Sequence, residues 1–506
     1  MYARSIVMRV VGGIAAVLLI ALAVFAWMRL PLRSPPPPAG TPDYWPTQSW
    51  RMTTPEEQGF DSVQLAEGLQ QLRDREIPIH SLLIIRNGYV VLDAYFDPFD
   101  GSWVHDLSSV TKSFTTTLTA IAASQGKLQL DQPMVSFFPD RTIANLDAGK
   151  QQITIRQLAG NVSGLQSGCT AGDEETLDLM RAQADWIQAA LDRKVVRQPG
   201  SSFCYDSPGM HLLSAILQKA TGMTELDFAR KYLFEPLGIQ DVVWESDPQG
   251  YTHGWGDVHL KPRDAAKLGY LWLSNGVWDG KQIVPADWVR AAVLAQVHAG
   301  GSDEYGYGWW VSKDAYWAAG RGGRYVKVYP AQNIIVVTTA SELDFNQIDR
   351  LISASFKDAA KALPANPQGV AKLQATLAAL QKPSKPFPVF PIPATAKQIS
   401  GKTYVFGKDA TEATTLESVR FEFNDSPQAT IYLGLTSGKQ AWLIGLDGKF
   451  RLNSDAEAVR GYWAAPQTFI MDRFGEKTYQ FRFAEDRLVF GLPGAPGGYE
   501  ARQQTP

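Results

Sequence analysis

Ser108-Ser109-Val110-Thr111-Lys112-Ser113-Phe114 opens a segment, Ser108 to Ser124, in which Phe114, Leu118 and Ile121 recur at spacings of four and three. That period predicts a helix with one apolar face, and Ser108 stands where an N-cap is expected. Ser109 and Lys112, three apart, then stack on one face of its first turn. A lysine amine beside a serine hydroxyl can take its proton once its own pKa is lowered, and the positive end of a helix pushes in that direction. The free N–H groups of the same turn can face an oxyanion. One turn thus holds a nucleophile, a base and half an oxyanion hole. Ser-x-x-Lys by itself is a common accident, so its partners must come from elsewhere in the chain.

Two further stretches supply candidates. Pro199-Gly200-Ser201-Ser202-Phe203-Cys204-Tyr205-Asp206-Ser207 precedes a predicted helix from Met210 to Ala220. Tyr205 and Ser207 alternate, so an extended chain turns both to one side. A tyrosine made acidic by a nearby lysine can act as a base or pass protons, and Ser207 can share that network. Trp317-Ala318-Ala319-Gly320-Arg321-Gly322-Gly323-Arg324 precedes Ile334 to Thr339, a β-branched run suited to a central strand. Its glycines allow close backbone approach, and a free N–H at that edge can complete the oxyanion hole. Ser81 to Asp93 predicts a hairpin turning at Asn87-Gly88, and Asp264 to Ser274 another helix.

In this order, Ser109-Val110-Thr111-Lys112, Tyr205-Asp206-Ser207 and Gly320-Arg321-Gly322-Gly323 resemble the serine β-lactamase and penicillin-binding-protein superfamily, on its class C-like and esterase side. Leu130-Asp131-Gln132-Pro133, Ser163-Gly164-Leu165, Lys261-Pro262-Arg263-Asp264 and Tyr307-Gly308-Trp309-Trp310 keep the family's order between Glu57 and Phe356. Trp255-Gly256-Asp257 and the Gly320 stretch look most similar to the 6-aminohexanoate-dimer hydrolase branch. The resemblance implies an α/β (α+β) domain with a central antiparallel sheet flanked by helices. It also implies roles: Ser109 attacks, Lys112 accepts its proton, and Tyr205 relays protons to the leaving group. The N–H groups of Ser109 and Arg321 form the oxyanion hole, with Gly320, Ser207 and Asn161 at the substrate.

The departures are informative. The family's Lys-Thr-Gly or His-x-Gly strand reads Ala318-Ala319-Gly320, its Tyr-x-Asn reads Tyr205-Asp206-Ser207, and its His before Ser-Gly-Leu reads Asn161. The cation that receives a β-lactam carboxylate is missing unless Arg321, Arg324 or Lys327 restores it. The expectation is a serine hydrolase acting on amide or ester bonds of small molecules or short peptides. A β-lactamase or D-alanyl carboxypeptidase-type enzyme is the alternative. No cofactor is expected, since Lys112 and Tyr205 stand in for a metal or histidine. A membrane-tethered sensor of cell-wall fragments is the non-catalytic rival. Gly160 to Gly164 lacks the register of a nucleophile elbow. His253, Asp257 and His259 match no familiar metal-ligand motif.

The 506 residues predict two or three domains. Apolar content of 45% and charged content of 20% are ordinary for a globular chain, and a net charge of −3 excludes a nucleic-acid partner. Residues 1–9 read as a cytoplasmic n-region and 10–28 as a transmembrane signal anchor or cleaved signal peptide, with Arg4 and Arg9 ahead of the apolar run. Residues 29–50 form a proline-rich stalk, 51–362 the hydrolase domain, and 363–394 a proline-rich linker with a short helix. Residues 395–506 alternate short strands and turns, predicting an all-β barrel or sandwich-like domain. The expected location is the periplasmic side of the inner membrane, or export after cleavage. There Cys169 and Cys204 either pair or stay as two buried thiols.

Overall fold

The computed structural model describes residues 44–504 apart from 171–173, 358–359, 384–386, 425, 437, 454–456, 475–477 and 495–496. The apolar run at 10–28 lies outside the described residues, among which no helix is long and apolar enough to cross a membrane.

Ile334–Ala340 is the central strand, and all seven of its residues are buried. It pairs antiparallel with Arg324–Tyr329 on one side and with Ile79–Arg86 on the other. The nine-stranded sheet continues outward through Tyr316–Gly320 on the first side and through Tyr89–Tyr95 on the second. Asn87 and Gly88, at φ 50° and 83°, make the two-residue turn between Ile79–Arg86 and Tyr89–Tyr95. Two consecutive left-handed residues are what a twisted hairpin of this length requires, and Asn-Gly meets it.

Both faces of the sheet are covered, which is why the central strand is apolar at consecutive positions from Ile334 to Val337. Ile335 and Val337 join the core that holds the Thr111–Ser124 and Ser207–Thr221 helices. Ile334 and Val336 join the core beneath Ser62–Asp74 and Asn346–Ser355. The helix expected in the linker, Pro367–Leu380, buries Leu373 and Leu380 in this second core. It therefore belongs to the packing of the hydrolase domain.

The C-terminal segment is a barrel. From Thr403–Phe406 to Tyr499–Gln503 its strands pair in one continuous antiparallel ladder. Nine of them close into a ring where Gly445 meets Arg460 in parallel. The parallel seam follows from the odd number, because strands alternating in direction close antiparallel only when even. Closure removes the free edges that a sandwich would leave. Phe421, Phe469 and Phe481 fill its interior.

Candidate active site

Ser109 is the second residue of a short 3-10 turn, Ser108–Val110, that runs directly into the Thr111–Ser124 helix. Ser108 is not the N-cap expected from the sequence. It sits at φ 47°, and its N–H and hydroxyl donate to the Asp106 carboxylate at 2.6 and 3.0 Å. That carboxylate holds the turn from outside, so the cap position passes to Leu107. The first amides to donate back along the turn are those of Val110 and Thr111. This leaves the Ser109 N–H among the amides without an intrahelical partner.

Lys112 points back along the same face. Its Nζ lies 3.0 Å from Ser109 Oγ and 3.1 Å from the carbonyl oxygen of Trp255. The side chain is 2% exposed. Burial pulls its pKa down to about 8, against the opposing carboxylates of Glu174, Asp257 and Asp206. Desolvation, rather than the helix end, is the principal cause.

Tyr205 forms the other wall. Lys112 Nζ lies 4.5 Å from its ring centroid, and the ring stacks on Trp310 at 6.2 Å. The phenol is not made acidic as expected. Burial and the nearby Glu174 carboxylate raise its pKa, outweighing the hydrogen bond with Ser109. A phenol that keeps its proton is an acid or a relay, not the resting base. A disulfide joins Cys169 to Cys204, and Cys169 bridges the backbone of Tyr205, so the crosslink anchors the segment carrying that ring.

Ser207 and Asn161 do not line the cleft beside Ser109. Ser207 opens the Ser207–Thr221 helix, fully buried, and gives its N–H and hydroxyl to the two oxygens of Glu174 at 2.9 and 2.5 Å. The alternation with Tyr205 fails because the helix starts at Ser207, capped by Asp206. Asn161 is buried in a left-handed turn, and its carbonyl receives the Cys204 N–H. Glu174 is the residue the sequence reading missed. It lines the cleft and acts electrostatically on both Lys112 and Tyr205. Its one signal was the acidic run Asp173-Glu174-Glu175 between the two cysteines.

Gly320 ends the strand Tyr316–Gly320, and Arg321 follows in the turn to Arg324–Tyr329. Both line the cleft with Ser109 and Tyr205. A Cβ on Gly320 would stand 2.4 Å from the Leu107 carbonyl oxygen and 3.1 Å from Ser108 Cβ. Backbone cannot yield as a side chain does, so glycine is what lets this strand edge approach the nucleophile turn. Gly320→Ala is expected to push the two apart and to lower kcat/KM about tenfold to a hundredfold. Kinetics on a p-nitrophenyl ester check this, and unchanged turnover would remove the strand edge from the site.

The cleft holds about 530 Å³, and its described lining runs from Asp106 to Tyr325 with no barrel residue. On its rim, Glu245, His253 and Asp257 bring ligand-type atoms within 4.8 Å of one another. His253 Nδ1 is already hydrogen-bonded to Asp257 at 2.6 Å, and the ring stacks between Trp186 and Trp255. This pairing packs the loop whose Trp255 carbonyl holds Lys112. His259 lies apart from that trio, on the strand Val258–Leu260.

Comparison with known proteins agrees with this layout. Residues 64–355 match the family model described as Beta-lactamase. Protein flp of Staphylococcus aureus is 23% identical over 336 residues, 60% of this chain and 66% of flp, so the chain spans just under two thirds of that relative. Penicillin-binding protein 4 of Amycolatopsis lactamdurans is 26% identical over 278 residues, 46% of this chain and 70% of its own. A solved Bacillus anthracis protein described as a candidate 6-aminohexanoate-dimer hydrolase superposes with a TM-score of 0.50 at 19% identity. That superposition covers 62% of this chain and 87% of the other, and it shows the shared fold. With its Ser-x-x-Lys turn beside a sheet edge on a matching domain, the chain belongs to the Beta-lactamase family, a family of serine hydrolases.

Proposed function

We propose that this protein hydrolyses amide or ester bonds of small molecules or short peptides through an acyl-enzyme on Ser109. The observation that carries this reading is the buried Lys112 amine, 3.0 Å from Ser109 Oγ, with its pKa drawn down to about 8. A neutral amine there takes the hydroxyl proton as Oγ attacks the carbonyl carbon. The carbonyl oxygen becomes an oxyanion between the N–H groups of Ser109 and Arg321. As the tetrahedral species collapses, the protonated Tyr205 phenol gives its proton to the leaving nitrogen or oxygen and is restored by the Lys112 ammonium. Water then attacks the Ser109 ester with Lys112 as base, releasing the acid and regenerating the hydroxyl.

A serine-reactive fluorophosphonate tests the reading. One adduct on Ser109 is expected in folded protein and none in Ser109→Ala; labelling of both alike would refute it. Tyr205→Phe adds a finer prediction. Turnover of an anilide should fall about a hundredfold, whereas a p-nitrophenyl ester should lose much less, because p-nitrophenolate leaves without a proton. Equal losses would deny Tyr205 its role as the acid. Ala318 carries no charge, so nitrocefin turnover should be slow; rapid turnover would favour a β-lactamase.

We further propose that the catalytic domain works outside the cytoplasm, tethered or released according to the fate of the 10–28 apolar run. The apolar run and the Cys169–Cys204 disulfide support this, since such bonds persist in oxidising compartments. Protease added to intact spheroplasts should digest the domain; full protection would refute export.

A further inference from the structure

Six carboxylates line the cleft beside Ser109: Asp106, Glu174, Asp178, Glu245, Asp257 and Asp303. Two guanidinium groups, of Arg181 and Arg321, oppose them. Asp257 is paired with His253, Glu174 grips Ser207, and Asp106 holds Ser108. Asp178, Glu245 and Asp303 have no salt-bridge partner among the described residues.

Two independent features point the same way. First, apart from Arg181 and Arg321, which six carboxylates outnumber, the cations that a substrate carboxylate would need are absent or committed elsewhere. Ala318 is buried and uncharged. Arg324 donates to the carbonyl oxygens of Asp106 and Arg321 at 3.1 and 2.7 Å. Lys327 Nζ sits 3.0 Å from the Asp349 carboxylate. Second, the remaining wall is aromatic, with Trp310, Trp317 and Tyr325 lining the cleft. Ring faces beside carboxylates hold an ammonium group, because the ring quadrupole and the negative charge attract it together. A carboxylate in the same place meets repulsion from both.

We infer that the cleft selects substrates bearing an ammonium or quaternary ammonium group and discriminates against those bearing a carboxylate at the same distance from the scissile bond. This rests on the Ser109 hydrolase reading and narrows its substrate class. The field is built into the cleft wall, so the preference acts on binding and is weakened by salt.

The test compares three p-nitrophenyl esters of one length: the hexanoate, its 6-trimethylammonio analogue and its 6-carboxy analogue. With the full chain at low salt, kcat/KM is expected to follow the order cation, neutral, anion. The ends should differ at least about tenfold, and the gap should narrow in about 0.5 M salt. In the Asp178→Asn/Asp303→Asn double variant the ratio of cationic to anionic turnover should fall several-fold. Equal rates on all three esters, or a preference for the carboxylate, would overturn the inference. Ser109-independent turnover of the neutral ester would instead overturn the hydrolase reading. Calorimetric titration of Ser109→Ala protein with the matching amides reads the charge preference without chemistry. Tighter binding of the carboxylate amide there would again overturn it.

Discussion

Lys112→Met is expected to abolish turnover while making the protein more stable. The two effects share one cause, the burial of an amine. With the amine gone, nothing within reach takes the proton of Ser109 Oγ, and kcat/KM should fall about a thousandfold. Stability moves the other way. The folded pKa of Lys112, about 8, lies below the ordinary lysine value of 10.5. Below pH 8 the folded state must hold an ammonium in a dry site that the unfolded chain keeps in water. Above pH 10.5 both states are neutral and the penalty is gone. The gap corresponds to a cost of about 3 kcal/mol at pH 7. Methionine removes it and loses the bond to the Trp255 carbonyl, which offsets about 1 kcal/mol. Urea titration should therefore show a net gain of about 2 kcal/mol. An inactive but destabilised variant would mean that the site was merely disrupted, and an active one would end the role of Lys112.

The same amine sets the pH profile. In the wild type, kcat/KM should rise about tenfold per pH unit and level off above pH 8, where Lys112 is neutral. Glu174 is the foremost carboxylate opposing that neutral form. Glu174→Gln should move the inflection to lower pH, and a shift upward or none at all would contradict the electrostatic role assigned to it.

What the chain discloses before folding is local. Asn87-Gly88 specifies its own turn, the β-branched run at 334–339 its own strand, and the three-residue step from Ser109 to Lys112 its own helix face. Each depends on neighbours a few positions away. What stayed hidden depends on residues brought from far off. Glu174 acquires meaning only because Ser207, 33 residues further on, lies against it. Gly320 was legible as a place of close backbone approach; what it approaches, the Leu107 carbonyl more than 200 residues earlier in the chain, was not. The Tyr205 phenol was read from Lys112 alone, whereas burial and Glu174 decide its pKa. Barrel closure likewise turns on a pair, Gly445 with Arg460, that no strand pattern announces.

The seam between hydrolase domain and barrel carries the other large expected effect, acid lability. His80 Nδ1 lies 3.4 Å from His105 Nδ1, and His80 Nε2 lies 2.9 Å from Ser341 Oγ, which donates to the barrel's Phe474 carbonyl. Phe99 and Phe474 pack on His80. Arg324 acts on both rings, and His259 acts on His105. Burial first, then these charges, pull both pKa values below 6.5, that of His105 to about 3. Both rings are therefore neutral when folded. Once unfolded they take protons below about pH 6.5, so their contribution is whole above that pH and is lost as pH falls from 6.5 toward 3. Between pH 7 and 5 the His105 ring removes about 2 kcal/mol, and His80 acts in the same direction. Urea midpoints at the two pH values measure the loss. The His80→Gln/His105→Gln variant keeps hydrogen-bonding groups but not the titration, so its stability should vary far less over that range. A variant as acid-labile as the wild type would place the sensitivity elsewhere. Because His105 leads through Asp106 and Leu107 into Ser108 and Ser109, the unfolding that exposes the pair to protons takes the nucleophile turn with it.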